Sequence, residues 1–199
     1  QHTKSWIFIL RKNKQNSKYY KKQNINFVFR PVNRLDKGTS GLMIVAKKPH
    51  IHELLKCQMH SGDFLREYLA IVCGVVNNNG IINEPIFRED NSIIKRVVDV
   101  RGVNAITHYE SIKVYNDKTL IKLRLETGRT HQIRVHMASI GHPLVGDLVY
   151  GHNKQKIKIE GQALHAKTLG FIHPSTRGYM EFNSELPDYF NDILTELRK

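Results

Sequence analysis

Asp36 is the first acidic residue of the chain, and nine Lys or Arg residues come before it. Arg34 and Lys37 lie close on either side. A carboxylate in so basic a stretch has three explanations: a surface ion pair, a helix cap, or a reactive group that stays ionised beside a polyanionic substrate. Only the third makes Asp36 a catalytic residue, and it requires an anionic partner.

The overall charge of the chain predicts such a partner. The formal net charge is +13 and the sequence pI is about 9.8. An excess of this kind attracts phosphates or anionic membrane surfaces, and nucleic acid is the leading partner. A basic, solvated surface is the alternative. Residues 11–24 are basic and polar, which predicts an exposed loop or arm that either contacts RNA or is simply solvated.

Length and hydropathy limit the class of protein. A chain of 199 residues is long enough for one domain with a sizeable core, so we predict a single domain over residues 1–199. It contains no run near the roughly 18 apolar residues of a membrane span, and its start lacks the order of a signal peptide. We therefore predict a cytoplasmic protein without membrane association.

Metal, cofactor and nucleophile chemistry lack the motifs that they require. His131 and His136 are five residues apart and do not share a helix face, and no HExxH occurs. Cys57 and Cys73 are the two cysteines and form no CxxC pair. GxGxxG, GxxxxGK[ST] and GxSxG are also absent. We therefore predict neither a metal nor a cofactor, and the sequence offers no obvious second acid to work with Asp36.

The loop that carries Asp36 leads into a predicted strand. Residues 42–46 form an unbroken apolar run, as expected of a strand covered on both faces, and this gives Asp36 a rigid mount. Pro49 can open a short helix. The apolar face of that helix is predicted to consist of Ile51, Leu54, Leu55 and Met59.

Further elements complete an α+β domain. Residues 66–76 predict a second buried strand, and two β-rich runs between 105 and 126 predict an antiparallel hairpin with one wet face. A helix should follow, capped by Thr130 and ended by Gly141, with Arg134 beside its apolar stripe. That stripe is predicted to consist of Ile133, Met137 and Ile140. The sheet is expected to be antiparallel or mixed.

Four blocks of sequence resemble one known family. Residues 34–42, RLDKGTSGL, resemble the RLDxxTSGL signature of RluA-type RNA pseudouridine synthases. Three more agree in order and spacing: REYLAIVCG at 66–74, LETGRTHQIRVHMASIGHPLVGDLVYG at 125–151 and ALHAKTLGFIHP at 163–174. The resemblance runs from about residue 30 to the C-terminus. It implies a mostly antiparallel mixed sheet with helices and loops around a central RNA-binding cleft.

The resemblance also implies a reaction. Such enzymes break the N-glycosidic bond of a uridine, turn the uracil in the pocket and rejoin it through carbon. Asp36 is then the catalytic aspartate, which either attacks the sugar or assists a glycal-like intermediate. Arg134 is its cationic partner, since a guanidinium can orient a carboxylate; the alternative is a surface arginine on an amphipathic helix. Tyr68 would stack on the uracil or transfer a proton at C5, and its alternative is core packing.

The target base should be flipped out of its helix, so residues around the pocket should hold RNA. Arg34 is a candidate to contact RNA or fill the vacated space. Arg129 is a candidate for a phosphate contact or for loop structure, with loop structure favoured. His165 is expected to be packed and hydrogen-bonded. The predicted partner is rRNA or tRNA, and no protein partner is predicted.

Two departures from the family pattern accompany this reading. Asn33 stands where the family commonly has histidine, a change that we expect to be tolerated. The usual N-terminal segment with its KP block is not recognisable, and neither is an S4 domain. Two rival functions remain, a catalytically silent RNA-binding protein and a hydrolytic N-glycosidase.

Overall fold

A computed structural model describes residues 7–12, 28–151 and 159–199. Within these ranges the chain forms eleven strands and three helices. In chain order they are β1 (Ile7–Lys12), β2 (Arg30–Pro31), β3 (Ser40–Ala46), α1 (Pro49–Ser61), β4 (Leu65–Cys73), β5 (Gly80–Asn83), β6 (Ile86–Arg88), β7 (Arg96–Val98), β8 (Ile106–Tyr115), β9 (Lys118–Leu125), α2 (Gln132–Ser139), β10 (Leu164–Ile172), β11 (Tyr179–Asn183) and α3 (Asp188–Glu196).

Nine of these strands form one sheet, in which the order β1-β3-β10-β4-β9-β8-β5 is flanked by β2 on β3 and β11 on β10. Every pairing is antiparallel except that of β3 with β10. At that parallel contact Gly41 has φ +108°, and a Cβ there would lie 2.2 Å from the carbonyl oxygen of Ala166. Glycine is therefore required where β3 begins. The prediction of an α+β domain with a mostly antiparallel sheet is confirmed.

The helices cover the two faces of this sheet unequally. Ala70 of β4 packs in a core with Ile133 and Met137 of α2, while the next residue, Ile71, packs with Phe190 of α3. Since successive strand side chains point to opposite faces, α2 and α3 lie on opposite sides. Leu55 of α1 packs in a further core with residues of β3 and β10. A cleft over one face of the sheet thus lies between α1 and α2.

The predicted strands agree with the structure, with one correction. β3 is buried along nearly its whole length, and the hairpin of β8 and β9 has the expected wet face, with Arg124 exposed. The strand predicted for 66–76 ends earlier, at Cys73. Gly74 has φ +84° and Val75 is exposed, because the chain turns away from the sheet there.

Both predicted helices exist, but parts of their predicted faces and caps are wrong. In α1, Leu54 is 44% exposed, so it does not belong to the buried face. Thr130 does not cap α2: the N-cap is His131, in a left-handed conformation with φ +58°. Ile140 follows the last residue of α2 and is 38% exposed. Gly141, with φ +86°, ends the helix as predicted.

Two further predictions concern the basic segment at residues 11–24 and association with membranes. Arg11 and Lys12, taken as the start of a basic loop, belong to strand β1, where they pair with β3. Residues 13–24 of that segment lie outside the described ranges. Among the helices that are described, none is long and apolar enough to cross a membrane.

Candidate active site

One cleft brings all five predicted site residues together. A cavity of about 180 Å³ is lined by Asp36, Tyr68, Arg134, Arg34 and Arg129. Met59 of α1 and Ile133 of α2 also line this cavity. These residues come from four separate stretches of the chain, so the fold alone assembles them.

The loop that carries Asp36 is held by a turn of its own and by the side chain of Gln162, which lies two residues before β10. The backbone N–H of Thr39 donates to the Asp36 carbonyl oxygen at 3.1 Å, which closes a turn. Gln162, which is 3% exposed, donates through Nε2 to Thr39 Oγ1 at 2.7 Å and to the Lys37 carbonyl oxygen at 3.2 Å. The buried amide thus adds two hydrogen bonds to the loop's own turn, and both help to fix the position of the loop.

Asn33 fixes the other end of the same loop. Its Oδ1 accepts a hydrogen bond from the Ile44 N–H at 2.8 Å, and its Nδ2 lies 3.5 Å from the Leu42 carbonyl oxygen. Asn33 is 5% exposed. Asn33, which stands where the family commonly has histidine, therefore attaches the loop to β3. It lies three residues before Asp36 in the sequence.

Arg134 stands between two carboxylates. It donates through Nε to Asp147 Oδ2 at 2.6 Å and through Nη2 to Asp147 Oδ1 at 2.8 Å. Its remaining nitrogen, Nη1, lies 3.6 Å from Asp36 Oδ2. Asp147 Oδ1 also accepts from the N–H groups of Val149 and Tyr150 at 2.9 and 3.1 Å. Asp147 thus fixes the guanidinium through a bidentate contact, so that the third nitrogen of Arg134 faces Asp36.

The environment keeps the pair of Arg134 and Asp147 ionised. Burial opposes the charge of Arg134, but the hydrogen bond and the negative charge of Asp147 outweigh it, so its pKa is raised. Burial likewise opposes the charge of Asp147, and the hydrogen bond with Arg134 outweighs it, so the pKa of Asp147 is lowered. The side chains are 6% and 0% exposed, which excludes water from the contact. Arg134 is therefore not the surface residue that its helix position allowed.

Tyr68 lies on β4 as part of the cleft wall and is 6% exposed. Burial raises its pKa to about 12, the charge of Asp36 adds to this rise, and Arg66 opposes it. The phenol is therefore neutral near pH 7. A neutral ring suits base stacking and hydrogen-bond donation, and it disfavours a phenolate base in the free protein.

His131 and Tyr150 support Arg134 from the side. The Arg134 guanidinium lies over the Tyr150 ring, 5.1 Å from its centroid. The Tyr150 hydroxyl lies 2.9 Å from His131 Nδ1 and accepts the Arg96 N–H at 2.9 Å. Burial lowers the pKa of His131, although the negative charge of Asp36 opposes this. The left-handed backbone of His131 marks a strained position at the cleft, of the kind that clusters at functional sites.

The two arginines predicted to bind substrate lie where the cleft meets solvent. Arg34 and Arg129 are both exposed and line the cavity. Arg129 Nε also donates to the Asn104 carbonyl oxygen at 3.0 Å, and its N–H donates to Gln132 Oε1 at 2.9 Å. These contacts support the predicted role of Arg129 in loop structure. Its exposed, charged side chain still lies at the rim of the cleft.

His165, expected to be packed and hydrogen-bonded, is 2% exposed, and its Nδ1 lies 2.8 Å from Ser40 Oγ. Ser40 Oγ in turn lies 2.9 Å from the Tyr189 hydroxyl. These contacts tie the first residue of β3 to β10 and α3. Burial lowers the pKa of His165 to about 4.

This histidine should make the protein less stable in mild acid. An unfolded histidine binds its proton near pH 6.5, and His165 in the folded protein binds it only near pH 4. The unfolded state therefore holds more protons in this window, and the free energy of unfolding should fall by about 3 kcal/mol as the pH drops through it. Urea unfolding between pH 7 and 4 measures this loss.

A substitution separates His165 from the other buried histidines. Burial also lowers the pKa of His131 and His136, so both contribute in the same direction. His165→Gln removes one of these titrations, and its unfolding free energy should vary less with pH between 6.5 and 4. An equally steep pH dependence in this variant would show that His165 does not contribute.

A family model described as RNA pseudouridylate synthase matches residues 4–139. The chain belongs to this family. It is 46% identical over 178 residues to the uncharacterized RNA pseudouridine synthase YlyB of Bacillus subtilis, across 88% of this chain and 58% of that protein. It is 44% identical over 178 residues to ribosomal large subunit pseudouridine synthase D of Zymomonas mobilis, across 84% and 56%. The chain thus spans less than three fifths of the length of these two relatives.

Solved structures show that the chain also has the fold of this family. Human RNA Pseudouridylate Synthase Domain Containing 1 matches with a TM-score of 0.68 at 24% identity, over 86% of this chain and 80% of that one. Human RNA Pseudouridylate Synthase Domain Containing 4 matches with a TM-score of 0.70 at 22% identity, over 85% and 76%. The predicted fold is confirmed.

Within this family member, sequence reasoning missed a second acid near Asp36. Asp147 lies on the far side of Arg134, inside the block 125–151 that carried the resemblance. Its side chain is fully buried and receives hydrogen bonds from Arg134 and two backbone N–H groups, so it is an orienting group and not a free acid or base. The signal that could have found it is the rarity of acids in this basic chain. No group of three potential metal ligands occurs in the described part of the chain.

Proposed function

We propose that this chain is the catalytic domain of an RNA pseudouridine synthase and that Asp36 is its catalytic carboxylate. The observation that carries the proposal is the Arg134 guanidinium, which Asp147 holds rigidly and which faces Asp36 inside a cleft walled by Tyr68. Such an arrangement orients one ionised acid toward a bound nucleotide. A silent RNA-binding protein would not need a carboxylate at the centre of a basic cleft.

The proposed reaction is that of the family, and it gives each of these side chains a role. A uridine flipped into the cleft stacks on Tyr68, and its N1–C1′ bond breaks with assistance from Asp36, either by attack at the sugar or through a glycal-like intermediate. The uracil turns within the cleft and bonds to C1′ through C5. C5 then loses its proton and N1 gains one, so the product is an isomer of uridine. Arg134 holds Asp36 in its reactive orientation throughout.

The substrate is proposed to be a structured RNA of the ribosome, because relatives at about 40% identity are named ribosomal large subunit pseudouridine synthases. A tRNA is the alternative. The net charge of +13, together with Arg34 and Arg129 at the cleft mouth, would supply affinity for phosphates that weakens with salt. A cytoplasmic location fits either RNA.

Tritium release tests the reaction directly. Unmodified transcripts of large-subunit rRNA and of tRNA, made with uridine tritiated at C5, are incubated with the protein. Isomerisation should release tritium from the rRNA transcript without changing the mass of the RNA apart from isotope exchange. Release of free uracil would support a hydrolytic N-glycosidase, and RNA binding without either product would support the silent binding protein.

A further inference from the structure

Arg66 is a buried cation in the cleft wall that the reaction described above does not use. It lies on β4 two residues before Tyr68, so the two side chains point to the same face of the sheet, about 6.6 Å apart along the strand. Arg66 is 3% exposed and lines the same cavity as Asp36 and Tyr68. Its position is therefore beside the surface on which the uracil is proposed to stack.

The guanidinium of Arg66 is only partly satisfied. Nη2 donates to the carbonyl oxygens of Glu126 at 2.8 Å and Leu125 at 3.4 Å. Nε is buried and has no hydrogen-bond partner among the described residues. No salt bridge in the described ranges includes Arg66, whereas Arg134 faces two carboxylates. A buried charge without a counter-ion is costly, and an anionic ligand would offset that cost.

Gly128, in the loop before α2, packs directly against the guanidinium of Arg66. A Cβ on Gly128 would lie 2.8 Å from Arg66 Nη1, so the absence of a side chain lets the loop pass against the guanidinium. Gly128 and Arg129 line the cavity with Arg66, and α2 begins three residues later, at Gln132. The N-terminus of a helix adds a positive partial charge to the same wall.

We propose that Arg66 binds a phosphodiester group of the RNA next to the everted uridine. A phosphodiester carries a full negative charge and can act as a counter-ion to the guanidinium. The uracil carbonyls are neutral hydrogen-bond acceptors. Arg66 would thus hold the backbone while Tyr68 holds the base, two residues along the same strand. This inference rests on the proposed function, because it takes the cleft to be the RNA site.

Binding of a short RNA with and without backbone charge tests the inference. The probes are a five-nucleotide oligouridine and its analogue with neutral methylphosphonate linkages, and turnover is blocked by Asp36→Asn in every variant. Adding Arg66→Met should weaken binding of the charged probe on the order of 10-fold or more, as expected for a lost charge-assisted hydrogen bond. It should leave binding of the neutral probe nearly unchanged. The slope of log affinity against log salt should fall by about 0.7, the value for one phosphate of a single strand.

Arg198→Met is the matched control, because Arg198 is exposed just beyond α3 on the opposite face of the sheet. It removes the same charge and should leave the affinities of both probes near their starting values. Arg66→Gln provides a second variant of similar size if Arg66→Met does not fold, as judged by thermal unfolding, and the same loss is expected of it.

Equal weakening of both probes by Arg66→Met would overturn the phosphate contact in favour of a contact to the base, and no weakening of either would leave Arg66 a purely structural residue. The measurement does not depend on product formation. Selective loss of the charged probe in these variants, together with no tritium release by the protein that retains Asp36, would therefore keep the phosphate site and reject the proposed reaction.

Discussion

Asp36→Asn should lower the rate of pseudouridine formation by at least about 10³-fold, as expected when an essential catalytic group is removed. Asparagine has the same shape but cannot carry the negative charge that is proposed to assist cleavage of the N-glycosidic bond. The fold should persist, because Asp147 and not Asp36 makes the hydrogen bonds that hold Arg134. Single-turnover tritium release measures the rate.

A measurement of RNA affinity distinguishes loss of the Asp36 carboxylate from disruption of the whole cleft. The affinity should stay near the wild-type value in Asp36→Asn, since the variant removes a negative charge from a cleft that is proposed to bind phosphates. Asp192→Asn is the matched control, because Asp192 is exposed on α3, on the far face of the sheet, and its loss should not alter turnover. Normal turnover in Asp36→Asn would show that another group performs the reaction.

Arg134→Ala should damage both stability and catalysis. It leaves the Asp147 carboxylate, which is 0% exposed, without its counter-ion, and breaking a buried pair in this way costs about 3–5 kcal/mol. Turnover should also fall sharply, because Asp36 loses the cation that orients it. Urea unfolding and tritium release are measured on the same preparations. Arg124→Ala, on the wet face of β9, should change stability by no more than about 0.5 kcal/mol.

A double variant distinguishes the structural role of Arg134 from its role toward Asp36. Arg134→Ala with Asp147→Ala removes both members of the buried pair, so no isolated charge remains and much of the lost stability should return. Turnover should not return with it, because the Arg134 guanidinium that faces Asp36 is still missing. Recovery of turnover together with stability would show that Arg134 matters only for folding.

Several parts of the site were predictable because they depend on neighbours in sequence. The run after residue 41 is apolar on both faces, so β3 and the loop that carries Asp36 could be placed before any contact was known. The hairpin around Asn116 followed from alternation in β9. The start of α2 did not follow from sequence, because its N-cap is His131 in a left-handed conformation without a side-chain cap, and not Thr130.

Residue types and the short segments that carry them can be read from the sequence: a carboxylate before a buried strand, a tyrosine on another strand and an arginine on a helix. The folded structure established that Asp147 holds Arg134, that Arg134 faces Asp36, and that Arg66 is buried and forms no salt bridge with the residues that the structure describes. The reason is physical. Local patterns report which face of an element is buried, but the pairing of charges depends on the distance between side chains from separate elements, and that distance exists only once the sheet has brought β4, α2 and the Asp36 loop to one cleft.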